Sequence, residues 1–168
     1  IEILSLFVKD YYRSFIMKKV YCTLFVLHLI VGIGAMAGGI AAILNPQAPL
    51  GMPATALKYG PFSDFLIPGI ILFIVIGCSN MASAAAILIK TRFQGYLSGF
   101  AGGALAFWIF VQCILLFAIH FLHILFFIIG IIQLILAAIL AFHHHLFPTD
   151  MIIRLFNEIK EKTSKNVL

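Results

Sequence analysis

Charge is what this sequence has least of. Asp, Glu, Lys and Arg make up 10% of its 168 residues, against about 25% in soluble domains. With 63% hydrophobic residues and a mean hydropathy of +1.14, a chain this short cannot bury its apolar surface in one small water-soluble core. Lipid must cover the remainder, and the length allows one compact membrane domain. Cysteine is scarce too: Cys22, Cys78 and Cys113 lie far apart inside apolar stretches and form no CxxC pair. That spacing excludes both a secreted disulfide framework and the paired-thiol chemistry of four-helix redox enzymes resembling vitamin K epoxide reductase. The three thiols read as small buried hydrophobes. Acids are outnumbered, giving a net charge of +5, but the bases flank apolar runs. A nucleic-acid reader would gather them on one solvated face, so nucleic acid is excluded as a partner and anionic headgroups explain the excess.

What the sequence has is four apolar runs, Val20–Leu44, Pro68–Ile89, Tyr96–Ile119 and Ile124–Phe147. Each reaches the roughly 20 residues that cross ~30 Å of hydrocarbon as a helix. Only His120-Phe121-Leu122-His123 separates the last two, and one helix of that combined length would overshoot a bilayer, so a tight turn is expected there. The predicted fold is an all-α membrane bundle of four transmembrane helices. Lys9, Arg13, Lys18 and Lys19 precede the first run, Lys90 and Arg92 lie between the second and third, and Arg154, Lys160, Lys162 and Lys165 follow the fourth. Lys58 alone falls on the opposite side. Because cytoplasmic loops retain positive charge, both termini are expected in the cytoplasm, with lipid bilayer as the surroundings.

Residues 1–17 and 148–168 read as short amphipathic helices at the cytoplasmic surface. Ile1, Leu4, Val8, Tyr11 and Phe15 recur at three- and four-residue steps, and Met151, Ile152, Leu155, Phe156 and Ile159 line one side of the tail. Met17-Lys18-Lys19 has the look of a natural start, in which case residues 1–16 are an upstream extension. Lys18-Lys19, an apolar run and Ala35-Met36-Ala37 also share the outline of a signal peptide; the stretch is read as a retained helix.

Small residues let transmembrane backbones approach closely. Gly34 and Gly38, with Ala35 and Gly39, supply such a face on the first helix, and Gly95, Gly99 and Gly103, at strict four-residue spacing with Ser98, Gly102 and Ala106 beside them, on the third. Counting rise per residue puts the third helix's glycines in the inner half, level with Ser79 and Ala82–Ala86 of the second, so these two helices are expected to pair there. The first helix's glycines are left for the outer half of the second, near Gly69 and Gly77, or for another subunit.

No Asp, Glu, Lys or Arg lies within the four runs, which argues against an ion-coupled transporter. The polar residues at depth are His28, Asn80, Gln112 and Gln133. Buried amides seek partners, so an Asn80–Gln133 hydrogen bond and a neutral His28 bonded across helices are the simplest expectations. Haem or proton handling at His28, and substrate binding by the amides, are the alternatives. His143, His144 and His145 point about 100° apart on a helix and do not converge on a metal. The Asn45–Phe62 connection, punctuated by Asn45-Pro46, Pro49, Gly51, Pro53 and Gly60-Pro61, reads as a folded outer cap, with Pro68 opening the second helix. Asp64, His120 and His123 should reach the same outer level, making the outer mouth the candidate ligand site.

The ordered string Gly32-Ile33-Gly34-Ala35-Met36-Ala37-Gly38-Gly39, Leu50-Gly51-Met52-Pro53 and Pro61-Phe62-Ser63-Asp64-Phe65-Leu66-Ile67-Pro68-Gly69 resembles that of small bacterial four-transmembrane-helix proteins of unassigned function. It covers roughly residues 18–120. The resemblance implies a bacterial cytoplasmic membrane and brings no catalytic residue. The expected function is therefore that of a non-enzymatic membrane protein, either an accessory subunit or a small transport component that forms a homo-oligomer or joins a larger complex. The competing expectation is a membrane-embedded enzyme or a cofactor, metal or quinone binder working at the outer mouth; the cofactor itself is unknown from sequence.

Overall fold

A computed structural model describes residues 2–58 and 60–143, with side chains from residue 14 onward. Among the described residues all regular secondary structure is helical, without a strand. Four long helices carry the fold: α1 (Glu2–Leu44), α2 (Leu66–Leu88), α3 (Gln94–Leu116) and α4 (Phe121–His143). All four are long and apolar enough to cross a membrane, α1 from Ser14 onward. They run up and down, so one end of the bundle carries the 45–65 connection (the cap end) and the other carries Lys18, Lys19, Lys90 and Arg92 (the base-rich end). The expected tail helix, together with His144 and His145, lies outside the described residues.

The helix boundaries differ from the sequence expectation for local reasons. α1 has no break between an interfacial segment and a span, because Lys18 and Lys19 are good helix formers and interrupt nothing; the Lys19 ammonium lies 4.5 Å from the Phe15 ring centroid. α2 begins two residues before Pro68. Asp64 Oδ1 accepts the Leu66 N–H at 3.0 Å, and the Phe65 carbonyl accepts that of Gly69 at 2.8 Å. Pro68 thus falls in the first turn, where its missing N–H costs nothing. α3 stops at Leu116 because Phe117 takes a left-handed conformation (φ 52°). The α3–α4 turn is therefore residues 117–120, and His123 already belongs to α4.

Each helix packs chiefly on its chain neighbour, and α1 closes on α4. α1 buries Met17, Val20, Leu24, His28, Val31, Ala35, Gly39 and Ala42. These three- and four-residue steps average close to 3.6 and make one straight seam. Cys22 and Cys78 fall off the seams and are exposed on the bundle's outer surface, which corrects their reading as buried hydrophobes; Cys113 is half-buried.

The glycine faces pair differently from expectation on α3 but not on α1, whose Gly39 meets α2 at Gly69. Those of α3 meet α4, not α2: a Cβ built on Gly102 would come within 2.8 Å of Gln133 Cβ and 3.0 Å of the Gly130 carbonyl oxygen, and one on Gly95 within 3.4 Å of the Ala141 nitrogen. Gly99 and Gly103 sit beside this seam, where an added Cβ finds its nearest atom only at 3.8 and 3.6 Å. Each four-residue step advances about 400° around a helix, so a strict stripe drifts by about 40° per step. Gly95, Ser98, Gly102 and Ala106, spaced three, four and four, track the axis instead and are buried. On α1 it is Gly39 that lies tightly against this part of α2, where an added Cβ would come within 2.8 Å of the Phe73 nitrogen and 2.9 Å of the Gly69 carbonyl oxygen. Gly38 touches only the end of Leu72 at 3.4 Å, and Gly34 has nothing within 4 Å.

Candidate functional site

α2 is not α-helical throughout: Leu72–Cys78 forms a π-helical stretch. Such a widened turn breaks the i→i−4 ladder, and inside a membrane the freed carbonyls need donors. Ser79 and Asn80 supply them. Ser79 Oγ donates to the Val75 carbonyl and Asn80 Nδ2 to that of Ile76, the latter at 2.9 Å. With its amide nitrogen so fixed, Asn80 presents Oδ1 to the bundle interior.

Two helices converge on that oxygen. His28 Nδ1 of α1 lies 2.7 Å from Asn80 Oδ1, and Gln133 Nε2 of α4 lies 3.0 Å from it. A carbonyl oxygen only accepts, so the short contact assigns the proton to His28 Nδ1. Gln133 Nε2 is also 3.0 Å from that nitrogen, but a protonated Nδ1 has no lone pair to offer, and the amide donates to Asn80 Oδ1. One oxygen, with two lone pairs, therefore ties three helices together. All three side chains are fully buried. Asn80 lies eight residues from the base-rich end of α2 and Gln133 ten from that of α4, or roughly 12–15 Å by helical rise. Two acceptors in this knot, His28 Nε2 and Gln133 Oε1, have no protein partner. Gly102 is what admits Gln133, since its lack of a Cβ lets the α4 backbone close on α3.

At the cap end, Asp64, His120 and His123 do not assemble. Among the described residues no hydrogen bond or ion pair joins the carboxylate to either imidazole, and no group of three His, Cys, Asp or Glu side chains gathers. Each is engaged locally. Asp64 opens α2. His123 Nδ1 accepts the His120 N–H at 3.2 Å while the His120 carbonyl accepts the His123 N–H at 2.9 Å, and the rings lie 5.6 Å apart. The imidazole of His123 thus does what the N3 Glu or Gln does in a capping box, while the return bond goes to the His120 backbone carbonyl and not to its side chain. The reciprocal bonds start α4 and leave the proton on His123 Nε2.

The connection itself is folded. Asn45 exchanges hydrogen bonds with Ala48 at 3.2 and 3.3 Å, the Pro46 carbonyl accepts the Phe65 N–H at 3.0 Å, and short 3-10 turns cover Pro49–Gly51 and Ala54–Leu57. Leu57 packs with Ala42, Phe65 and Leu115 to seal one side. On the other side Leu50 and Met52 overhang a cavity of about 350 Å³ between α1, α2, α3 and α4. Its walls are apolar apart from Trp108, Gln112 and His123. Trp108 is buried and its Nε1 has no hydrogen-bond partner. Gln112, expected at this depth as an isolated amide, is half-buried in the wall. Sequence reading missed Trp108. A lone tryptophan on the buried face of α3, four residues before Gln112, was the available signal.

No protein-family model, curated protein or solved structure matches the chain.

Proposed function

We propose that this is a non-enzymatic integral membrane protein of a bacterial cytoplasmic membrane, with both termini cytoplasmic, acting as an accessory subunit or a small oligomeric transport component. The observation that carries the reading is the His28–Asn80–Gln133 knot. Polar groups placed deep in an apolar bundle either serve a substrate or lock helices together. Here the donors of all three side chains are aimed at one another or at the Ile76 carbonyl, a use that fixes the register of α1, α2 and α4. Around this rigid centre, α4 turns much of its length outward, with Phe121, Ile128, Ile135 and Phe142 among its exposed side chains. Such a surface suits lipid or the helices of a second subunit. The resemblance of the motif string to small bacterial four-helix membrane proteins supports the same class.

The test is native mass spectrometry of the protein released from membranes in mild detergent, paired with an absorption spectrum and metal analysis of the same sample. The expected result is a defined homo-oligomer or a stoichiometric complex, free of haem and metal. A monomer carrying a stoichiometric haem or metal ion would refute the proposal.

A further inference from the structure

The cavity beneath the cap is a different kind of place from the polar knot. The geometry points to a binding site for a lipid-soluble molecule that carries a carbonyl oxygen on an apolar body, entering sideways from the bilayer between α1 and α4. Three observations combine. First, the polar groups in the wall can all donate: the Trp108 indole N–H, which is donor-only and unpartnered, the Gln112 amide, and His123, whose Nδ1 is spent as an acceptor so that its proton sits on Nε2. That N–H is closed off in this structure, so a carbonyl oxygen would meet the Gln112 amide and His123 first and the unpartnered indole only as its ring adjusts, which would recover the cost of burying it without an acceptor. Second, the rest of the lining is aliphatic or aromatic, including Val31, Ile76, Leu105 and Phe126, and none of it is charged. An ionised ligand is thereby disfavoured, whereas an apolar chain gains by burial. The volume falls in the range of small-molecule sites.

Third, the opening faces lipid. α1 and α4 meet at the base-rich end, where Leu24 and Leu140 are fully buried in one cluster. Toward the cap they part, and Gly34 and Leu122, both exposed, stand on either side of the cavity. Gly34 is the one glycine of α1 with nothing within 4 Å of a built Cβ; the α1 backbone at this level borders open space. Carbonyls of the required kind occur on quinones and on the ester groups of bilayer lipids.

Trp108 is the only tryptophan in the chain, so intrinsic fluorescence reports on the site directly. Full-length protein in phosphatidylcholine nanodiscs is titrated with a decyl-substituted benzoquinone, with decylbenzene as the same tail lacking carbonyls. In a parallel arm the discs contain phosphatidylcholine brominated close to the ester. The expected result is saturable quenching by the quinone, with decylbenzene competing roughly three- to tenfold more weakly, the share of one hydrogen bond. Displacement of brominated-lipid quenching by the quinone assigns the site to quinones. Brominated-lipid quenching that the quinone cannot displace assigns the carbonyl to a lipid ester. Gly34→Leu fills the opening and should weaken whichever ligand binds at least tenfold with an unchanged melting temperature. Should that variant unfold, Gln112→Leu is read instead, and should erase most of the preference for the carbonyl compound. Quenching that stays linear for every probe, decylbenzene competing as well as the quinone, or binding untouched by the variant read would overturn the inference.

Discussion

Adding one methyl group to Gly102 should destabilise the bundle, while the same change at Gly99, one turn away on the same helix, should not. At Gly102 the new Cβ would lie 2.8 Å from Gln133 Cβ, 3.0 Å from the Gly130 oxygen and 3.0 Å from the Leu134 nitrogen. Carbon atoms prefer separations of about 3.5–4.0 Å, so relief requires α3 and α4 to move apart by several tenths of an ångström. Two of the three obstructing atoms are backbone, and no rotamer change can clear them. At Gly99 the nearest atom is Ala137 Cβ at 3.8 Å, an ordinary contact. Both substitutions gain the same helix-propensity advantage of alanine, up to ~1 kcal/mol. Their difference therefore isolates the packing term, expected at about 1–3 kcal/mol by analogy with overpacked cores. Unfolding in bicelles by steric trapping measures it. Equal stabilities within ~0.5 kcal/mol would show that the α3–α4 seam does not run through Gly102, and the assignment of Gln133 to the knot would lose its support.

Four further outcomes follow from the same geometry. Asn80→Leu removes the oxygen that His28 and Gln133 share and should cost about 1–3 kcal/mol, with an Asn80/Gln133 double-mutant cycle giving a coupling near 0.6–1.7 kcal/mol; additive single effects would deny the shared bond. Asp64→Ala should lose ~0.5–2 kcal/mol through the Leu66 N–H, whereas Asp64→Asn, which keeps an acceptor, should be near neutral; an equal loss in both would mean that the carboxylate's charge matters. Phe117→Gly relieves a left-handed residue that is 77% exposed and should raise stability by about 1 kcal/mol, measured by thermal unfolding in detergent. Cysteine at position 58 should react with an impermeant maleimide applied to intact cells and cysteine at position 90 should not; the reverse pattern would invert the orientation proposed from the basic residues.

How much of this was legible in the sequence depends on which physical quantity each feature answers to. The four helices answer to length and apolar content alone, and both are one-dimensional. The start of α2 and the end of α3 were displaced by two or three residues because they are set by single local features: the Asp64 bond to Leu66, and the left-handed backbone at Phe117. The depth of Asn80 and Gln133 was countable by rise per residue, which is why their meeting was foreseeable. That His28 joins them was not, because depth says nothing of azimuth. The spacing of Met17, Val20, Leu24, His28, Val31 and Ala35 would have put the imidazole on the α1 seam. The glycine pairing failed for a related reason. Matching small residues by depth ignored the small face of α4, Gly130, Ala137 and Ala141, at the same levels. The proposed Asp64–imidazole site failed because shared depth was taken for proximity, while each side chain was already committed to starting its own helix.

The two ends of the bundle are held by different means, and this bears on where anything can bind. In the base-rich half, a foreign molecule would have to break hydrogen bonds or separate helices to reach the knot or the Gly95–Gly102 seam; the cavity at that end, lined by Lys18, Tyr21, Ile87, Lys90 and Gln94, involves none of the knot's side chains. In the cap half, the α1 glycines divide by direction. The space beside Gly39 is filled by α2, so that an added Cβ would come within 2.8 Å of the Phe73 nitrogen, whereas Gly34 looks onto open space. The same helix is thus pinned on one side and unpartnered on another, within two turns. Because the cavity lies nearer the cap than the knot and meets it only at Ile76, filling the cavity need not break the knot's hydrogen bonds. A ligand there would bind to a frame already rigid, so little ordering entropy would oppose it. Occupancy would instead be felt by the parts that border the opening, Leu50 and Met52 of the cap and Leu122 of α4. These exposed residues lie where a neighbouring subunit could sense whether the site is filled.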